Sequence, residues 1–327
     1  MKLLVTGGAG YIGSHVVLTA LENNYEVTIF DDLSTANKSN IHPDAQLIVG
    51  STKSIKDISN LFKNNNFDGV IHLAANKASG ESMVNPKLYT ENNIIGSLNF
   101  INKCIEFNIN NFIFSSSAAI YGNPKYNPID ELHPKNPNSY YGYTKLAIEK
   151  NLEWYSKLYN LRYASLRYFN AAGYDIRNRI KGIEINSKNL IPNVMEVAIG
   201  LKPYLSIFGN QYITKDGTGI RDYVHVNDLA NAHIKALEYL NTKKKNLVIN
   251  LGTERGYSVM DILKMARKVT KVDICYQIEN SRTGDIDSVM ANCALAKNQI
   301  GWTCPNSSLK KIIESTWNIY KNNSNLI

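Results

Sequence analysis

The sequence predicts an α/β protein, a doubly wound parallel sheet followed by a smaller C-terminal α/β lobe. Two observations carry this reading. Short apolar β runs alternate with helical patterns through the first half of the chain, as βα units require. A cluster of glycines stands between the first β run and the first helix. Past about residue 171 the alternation loosens into Gly- and Pro-containing loops, shorter strands and two later helices. We therefore expect one unit over residues 1–170 and a second over 171–327, with a partly interwoven boundary.

The elements read in order. KLLVTG is a first β run, followed by a helix over 11–23 and a second β run, EVTIFDD. QLIVG precedes a polar helical stretch near 54–65, FDGVIHLAA is a further strand, and a helix is expected over 86–108. NFIFSSS is the next strand. From residue 139, SYYGYTKLAIEKNLEWYSKLY repeats apolar side chains at helical intervals (Leu146, Leu152, Tyr155, Leu158, Tyr159), and RYASLRYFN returns to strand. The chain of 327 residues can bury a core in each unit.

Composition narrows the class. Hydrophobic residues make up 44% and charged residues 20%, ordinary for a globular chain. MKLLVTGGAGYIG has no leader pattern, and no run approaches the roughly 20 apolar residues of a membrane span, so no membrane partner is expected. Cys104, Cys275, Cys293 and Cys304 lack ligand-like spacing. Neither a disulfide framework nor a metal site is expected, and a reducing cytoplasm is the natural compartment. The net charge of +8 comes from scattered lysines, with KKK at 243–245 read as a solvated loop. Nucleic acid is not an expected partner; a substrate bearing phosphates suits a basic chain.

Gly7, Gly10 and Gly13 follow the first strand and open the first helix. The first glycine permits a tight turn and the second lets backbone N–H groups approach a pyrophosphate. The third lets helix pack closely on strand. Asp31 and Asp32 end the next strand, near the customary spacing of about 20 residues. A carboxylate there accepts from an adenosine ribose and repels a 2′-phosphate, which favours NAD over NADP. The expectation is a Rossmann-type NAD-binding unit.

Chemistry is expected from Ser117, Tyr141 and Lys145. Of the three tyrosines in SYYGYTK, only Tyr141 stands four before Lys145 and shares its helix face. An ammonium beside a phenol stabilises the phenolate, making Tyr141 a base. Taken alone, the stretch reads more readily as a helix packing tyrosines at the core edge. Strand alternation puts Ser115 and Ser117 on one face and Ser116 on the other. A serine hydroxyl at a strand's carboxyl end, a Tyr–Lys pair and a nicotinamide together can move a proton and a hydride.

Nine stretches carry a resemblance: VTGGAGYIGSH, IHLAANKASGES, FIFSSSAAIYG, YYGYTKLAIE, LRYFNAAG, IFGN, DGTGIRDYVHVNDLA, NLGT and RTGD. The chain resembles the extended short-chain dehydrogenase/reductases, and among them the 4-epimerases of UDP-hexoses, almost end to end. The resemblance implies that Tyr11, Ile12, Asp31, Asp32, Ser51, Leu73, Ala74, Lys77, Asn92, Tyr141, Lys145 and Tyr168 surround NAD, with Ser117 and Tyr141 acting on the sugar. It implies a UDP-sugar site built from Asn170, Asn189, Leu190, Phe208, Arg221, Arg282, Asp285 and Val289. Arginine forks suit the diphosphate. Dehydratases and decarboxylases of this family carry acids directly after the active-site Ser/Thr. Ala118 and Ala119 stand there instead, which argues for redox without elimination.

The chain departs from the family pattern at several positions. Ser51 replaces an Asp that often contacts adenine, LRYFNAAG lacks the NPxGA wording, Asp287 replaces a frequent Pro, and Val289 stands where some members carry Tyr. These leave the sugar open between plain and N-acetylated UDP-hexoses, a uronate or a pentose. DGTG at 216–219 reads as the turn of a hairpin before Arg221. The helices over 86–108 and 141–158 carry apolar residues beyond what one sheet face needs (Phe100, Ile101, Ile105, Trp154, Tyr155). The resemblance then implies a homodimer through a four-helix bundle. A non-catalytic NAD-binding protein on the same fold is the alternative from another class.

Overall fold

The computed structural model describes residues 1–184, 187–282 and 285–323. Thr283 and Gly284 of the RTGD stretch lie outside the described residues. The chain opens with β1 (Lys2–Thr6), α1 (Tyr11–Glu22), β2 (Glu26–Asp31), β3 (Gln46–Val49), α2 (Ile55–Lys63) and β4 (Gly69–His72). Then come α3 (Ser79–Val84), α4 (Pro86–Tyr89), α5 (Gly96–Glu106), β5 (Asn111–Ser117), α6 (Tyr140–Leu158) and β6 (Arg162–Tyr168). The helix expected over 86–108 is interrupted: Thr90–Ile95 form a π-helical turn between α4 and α5. The side chains of Asn92 and Asn93 within it bond Asn76, holding the turn against the loop after β4. Apolar periodicity does not register an insertion of this kind.

Beyond β6 lie β7 (Asn170–Ala172), α7 (Leu190–Ala198), β8 (Leu205–Phe208), β9 (Ile220–His225), α8 (Val226–Lys243) and β10 (Leu247–Leu251). The chain continues through β11 (Gly256–Ser258), α9 (Val259–Thr270), β12 (Tyr276–Glu279), β13 (Ser288–Val289), α10 (Ala294–Ile300) and α11 (Leu309–Asn323). The described part of this half holds five helices where two were expected. The shortest, α7 and α10, span nine and seven residues, too few for a clear period.

Seven strands form one parallel sheet in the order β10-β6-β5-β4-β1-β2-β3. The order reverses beside β1, and ligands of open α/β sheets lie at that switch point, outside the strands' carboxyl ends. Both faces are covered. Leu3 and Val5 pack with Val16 and Val17 of α1 and Leu229 and Leu237 of α8. Leu4 faces the other way, toward Leu61 of α2, Phe100 and Ile101 of α5 and Ile148 and Leu152 of α6. Double-sided burial is why the strands read as near-continuous apolar runs.

Residues 226–251 return to this large sheet as α8 and β10, so the C-terminal half contributes to the first layer. The rest of that half has its own core, including Ile191, Val194, Ile262, Leu263, Ile312 and Ile313. There β9 pairs with β11 antiparallel and with β7 and β13 in parallel, while β8 pairs with β12. DGTG is a tight turn with Gly217 at φ +74°, but not a hairpin turn, because β8 and β9 have other partners. Local turn chemistry cannot tell which strands pair. Phe100 and Ile101 are core residues, fully buried, not surplus surface.

Candidate active site

The glycine loop leaves β1 at Thr6 and enters α1 at Tyr11. Gly7 has φ +70°, and a Cβ there would lie 2.8 Å from the Ala74 nitrogen. A Cβ on Gly13 would lie 2.0 Å from the Gly7 oxygen, so no larger residue fits. On Gly10 a Cβ would meet only that oxygen, at 3.2 Å, with open space beyond. Gly10 is the N-cap of α1 and offers no side-chain cap. The first-turn N–H groups and the positive end of the helix dipole therefore face an open cradle, which fits a pyrophosphate.

Asp31 closes one side of the cradle. Its carboxylate accepts from Ala9 N at 3.0 Å and Leu33 N at 2.9 Å, and burial raises its pKa. Asp32 binds Ser34 in the following turn. Leu73 and Ala74 abut the loop, with Leu73 N bonded to Thr6 O at 3.1 Å. At the far edge of β3, Ser51 N donates to Asp57 at 3.2 Å, so α2 brings a carboxylate to the place where Ser51 lacks one. Asn92 Nδ2 donates to Asn76 Oδ1 at 2.8 Å. Lys77 pairs with Glu184 and lies 5.9 Å from the Tyr11 ring centre. The Tyr11 hydroxyl donates to Gly173 O and ties α1 to the chain after β7. Ile12, next along α1, packs against the large core.

At the carboxyl end of β5 the expected catalytic residues converge. Ser139 caps α6 by accepting from Gly142 N at 3.2 Å. Gly142 lies against the short turn after β5, where a Cβ would be 2.4 Å from Ala119 O. Tyr141 and Lys145 share one face, the Lys145 Nζ 5.8 Å from the Tyr141 ring centre. Tyr140 turns away to Thr90 Oγ1 at 2.6 Å and stacks on the exposed Tyr143. Ser117 faces the Tyr141 hydroxyl, whereas Ser116 points to Glu149 at 2.6 Å, as strand alternation predicted.

One electrostatic expectation needs correction. The phenol of Tyr141 is raised, not depressed: burial is the larger cause, with Ser117 opposing it. Lys145 is lowered to about 7 by burial, and its Nζ donates to the Ser115 carbonyl at 2.7 Å. Withdrawal from water penalises the charged form of both groups and outweighs their proximity. Tyr168 is buried beside them, its hydroxyl on His233 Nε2. Because His233 Nδ1 contacts the Leu229 carbonyl at 2.8 Å, Nδ1 carries the proton and the phenol donates to Nε2.

The second lobe gathers part of the expected substrate set. Arg221 Nη1 donates to Ile220 O at 2.9 Å and Ile286 O at 2.7 Å, and Nη2 stands 3.6 Å from Asp285. Arg282 lies over the Phe208 ring at 3.8 Å. Val289, half-buried, is the register partner of Arg221 across β9 and β13. Tyr212, which sequence reasoning missed, donates to Asp285 at 3.1 Å; no spacing connects residues so distant in the chain. Asn170 donates to Asp222 O at 3.2 Å. Asn189 is the N-cap of α7 and Leu190 its first residue, packed on the second core.

A switch-point glycine cradle beside a Ser, Tyr and Lys cluster defines a dinucleotide-dependent α/β enzyme of the Tyr–Lys type. Residues 3–252 match the NAD dependent epimerase/dehydratase family, and the chain belongs to that family. It is 41% identical over 321 residues to a UDP-glucose 4-epimerase of Halalkalibacterium halodurans, covering 98% of this chain and 96% of that protein. A UDP-glucose 4-epimerase of Bacillus subtilis is 37% identical, covering 99% and 98%. Among solved structures, the Stenotrophomonas maltophila UDP-glucose-4-epimerase with bound NAD and formylated UDP-arabinopyranose superposes with TM-score 0.95, at 33% identity over 100% of both chains. The UDP-Glc/GlcNAc 4-epimerase of Campylobacter jejuni gives TM-score 0.86 at 34% identity, over 98% and 99%.

Proposed function

We propose that this chain inverts carbon 4 of a UDP-hexose, UDP-glucose and UDP-galactose being one such pair, with NAD as cofactor and a 4-keto sugar as intermediate. The observation that carries the reading is Ser117 facing Tyr141 on the face of Lys145, at the carboxyl ends of the strands, with alanines where elimination needs acids. Membership of the family and the relatives' activities support it.

Gly7, Gly10, Tyr11, Ile12, Gly13, Asp31 and Asp32 hold NAD at its pyrophosphate and adenosine end, with Ser51, Leu73, Ala74, Lys77 and Asn92 along its length. Tyr168 and Lys145 lie at the nicotinamide end. A bound NAD supplies the hydride acceptor and donor at C4 and, oxidised, a positive charge that favours the Tyr141 phenolate. Tyr141 takes the proton of the 4-hydroxyl while Ser117 orients that hydroxyl, and Tyr141 later returns the proton to the 4-keto oxygen. The ketone turns over between the two transfers. The second lobe therefore grips the nucleotide end, through Asn170, Asn189, Leu190, Phe208, Arg221, Arg282 and Asp285, and leaves the sugar free to rotate.

Cofactor-loaded enzyme incubated with UDP-galactose and no added NAD tests the reading. UDP-glucose is the expected product, since the cofactor is regenerated in each cycle. No product, or turnover only with external NAD, refutes it.

We also propose a homodimer in the cytoplasm. Trp154, Leu158 and Tyr159 at the end of α6 are exposed at 61%, 67% and 50%, and Ile95 at 46% marks the start of α5. Isologous pairing of these helices covers that apolar surface. Sedimentation at micromolar concentration is expected to give a two-chain species; a single-chain species refutes it. Among the described residues no helix is long and apolar enough to cross a membrane.

A further inference from the structure

Helix α6 carries ionisable side chains at one-turn intervals: Tyr141, Lys145 and then Glu149. The site described above uses the first two and leaves Glu149 without a part. Glu149 is 7% exposed and its carboxylate is fully engaged. Oε1 accepts from Ser116 Oγ at 2.6 Å and Arg167 Nε at 3.0 Å, and Oε2 accepts from Arg167 Nη2 at 2.7 Å. Ser116 and Arg167 are register partners on β5 and β6, directly before the partners Ser117 and Tyr168. Arg167 Nη1 continues to the Tyr121 hydroxyl at 2.9 Å, which donates to Asn250 on β10 at 2.7 Å.

We propose that Glu149 is a positioning residue, a clamp that sets the depth and rotation of α6 so that the Tyr141 hydroxyl meets Ser117 and the substrate. This rests on the 4-epimerase reading above. A buried ion pair is a weak source of stability, since apolar side chains of similar volume often serve as well. A two-pronged guanidinium–carboxylate contact instead fixes distance and direction. Apart from this clamp and the single Lys145 bond to the Ser115 carbonyl, α6 meets the sheet through Ile148 and Leu152, which are apolar and non-directional. The clamp bonds the two sheet residues that precede Ser117 and Tyr168, one turn from Lys145 and two from Tyr141. It therefore places both sides of the site with one pair of charges. A misplacement of about 1 Å can lower a rate about a hundredfold.

The test compares Glu149→Gln and Ser116→Ala, each with and without Tyr141→Phe, on UDP-galactose. Gln keeps the shape of Glu149 but turns one acceptor into a donor facing Arg167. In Glu149→Gln we expect kcat to fall roughly ten- to hundredfold, with KM within about twofold and bound NAD retained. In the Tyr141→Phe background the same change adds no further loss, because the clamp acts through that hydroxyl. An unchanged kcat, or an equal further loss without the hydroxyl, overturns the proposal. Should Glu149→Gln not fold, Ser116→Ala leaves the ion pair intact. It is expected to lower kcat a few-fold only when Tyr141 is present, and an unchanged kcat there overturns the proposal equally. A wild type that does not convert UDP-galactose overturns the underlying reading and this proposal with it, whereas an active wild type with unaffected variants overturns this proposal alone.

Discussion

Lys145 stands one turn beyond Tyr141, its Nζ 5.8 Å from the centre of the phenol ring and bonded to the Ser115 carbonyl at 2.7 Å. Helical spacing alone gives the shared face. Burial then separates the two groups in proton affinity, lifting the phenol and lowering the ammonium to about 7. A bound oxidised dinucleotide would supply a positive charge that favours the Tyr141 phenolate.

Removing the Tyr141 hydroxyl takes away the proposed proton acceptor, which Ser117 faces, and leaves the ring in place. Tyr141→Phe is expected to lower kcat by about 10²–10⁴-fold, the usual contribution of general acid–base catalysis. Tyr140→Phe loses only a bond to Thr90 and should stay within a few-fold of wild type. Steady-state conversion of UDP-galactose measures both. The reverse ranking would assign the base to Tyr140.

The third glycine of the loop is open to a direct check. A methyl group at Gly13 would sit 2.0 Å from the Gly7 carbonyl oxygen, which is backbone and cannot yield. Gly13→Ala must push α1 away from β1 and disrupt the first-turn N–H groups. We expect purified Gly13→Ala to carry little NAD, read as nucleotide released on denaturation. Full occupancy would show that the cradle tolerates the shift.

Much of this site was readable in the sequence because local spacing determines it. Gly7, Gly10 and Gly13 form one turn, Tyr141 and Lys145 one helical face, and Ser115 and Ser117 one strand face. What escaped depends on distant packing. Tyr212 meets Asp285 only because the turn before β9 lies against the segment leading into β13, where Ile213 N also donates to Asp287. The π-helical turn arises from Asn76 bonding Asn92 and Asn93, polar residues without a period. The surplus assigned to Phe100 and Ile101 fails for the same reason, since both are fully buried in the core that α2, α5 and α6 share on one face of the sheet.

Four of the five buried histidines are expected to make the fold acid-sensitive. Burial lowers His15 and His233 to about 4, and His72 and His225 to about 3. The unfolded chain binds protons at these residues below about pH 6.5 while the folded chain does not, so stability falls as pH drops from there toward 4. Each histidine contributes up to about 1.4 kcal/mol per pH unit in that window. Asp31, Asp222 and Asp228 are raised by burial and act with the opposite sign, but close to the carboxylate range. Denaturant midpoints are therefore expected to decline already between pH 6.5 and 5. His72→Asn, which removes one of the four, should flatten the slope; an unchanged slope would dismiss that residue as a contributor.

The breadth of sugar accepted is expected to turn on Val289. It sits on β13 as the register partner of Arg221 on β9, so the two side chains stand in one row. Asp287, in place of a frequent Pro, accepts on its carbonyl from Ile220 N at 2.8 Å. Asn127 bonds Ser288 Oγ at 3.1 Å and Met290 N at 2.9 Å, so the strand is held from both sides without that proline. Valine is several heavy atoms smaller than the tyrosine some relatives carry, and we expect that difference to admit a 2-acetamido group. Pocket discrimination of this kind is worth about 1–3 kcal/mol per group, a preference and not an absolute choice. We expect conversion of both UDP-galactose and UDP-N-acetylgalactosamine by the wild type. In Val289→Tyr the ratio of kcat/KM should shift toward the plain sugar by about 10- to 200-fold, with kcat/KM for UDP-galactose changed far less. A ratio that stays constant would show that another side chain sets the width of the pocket.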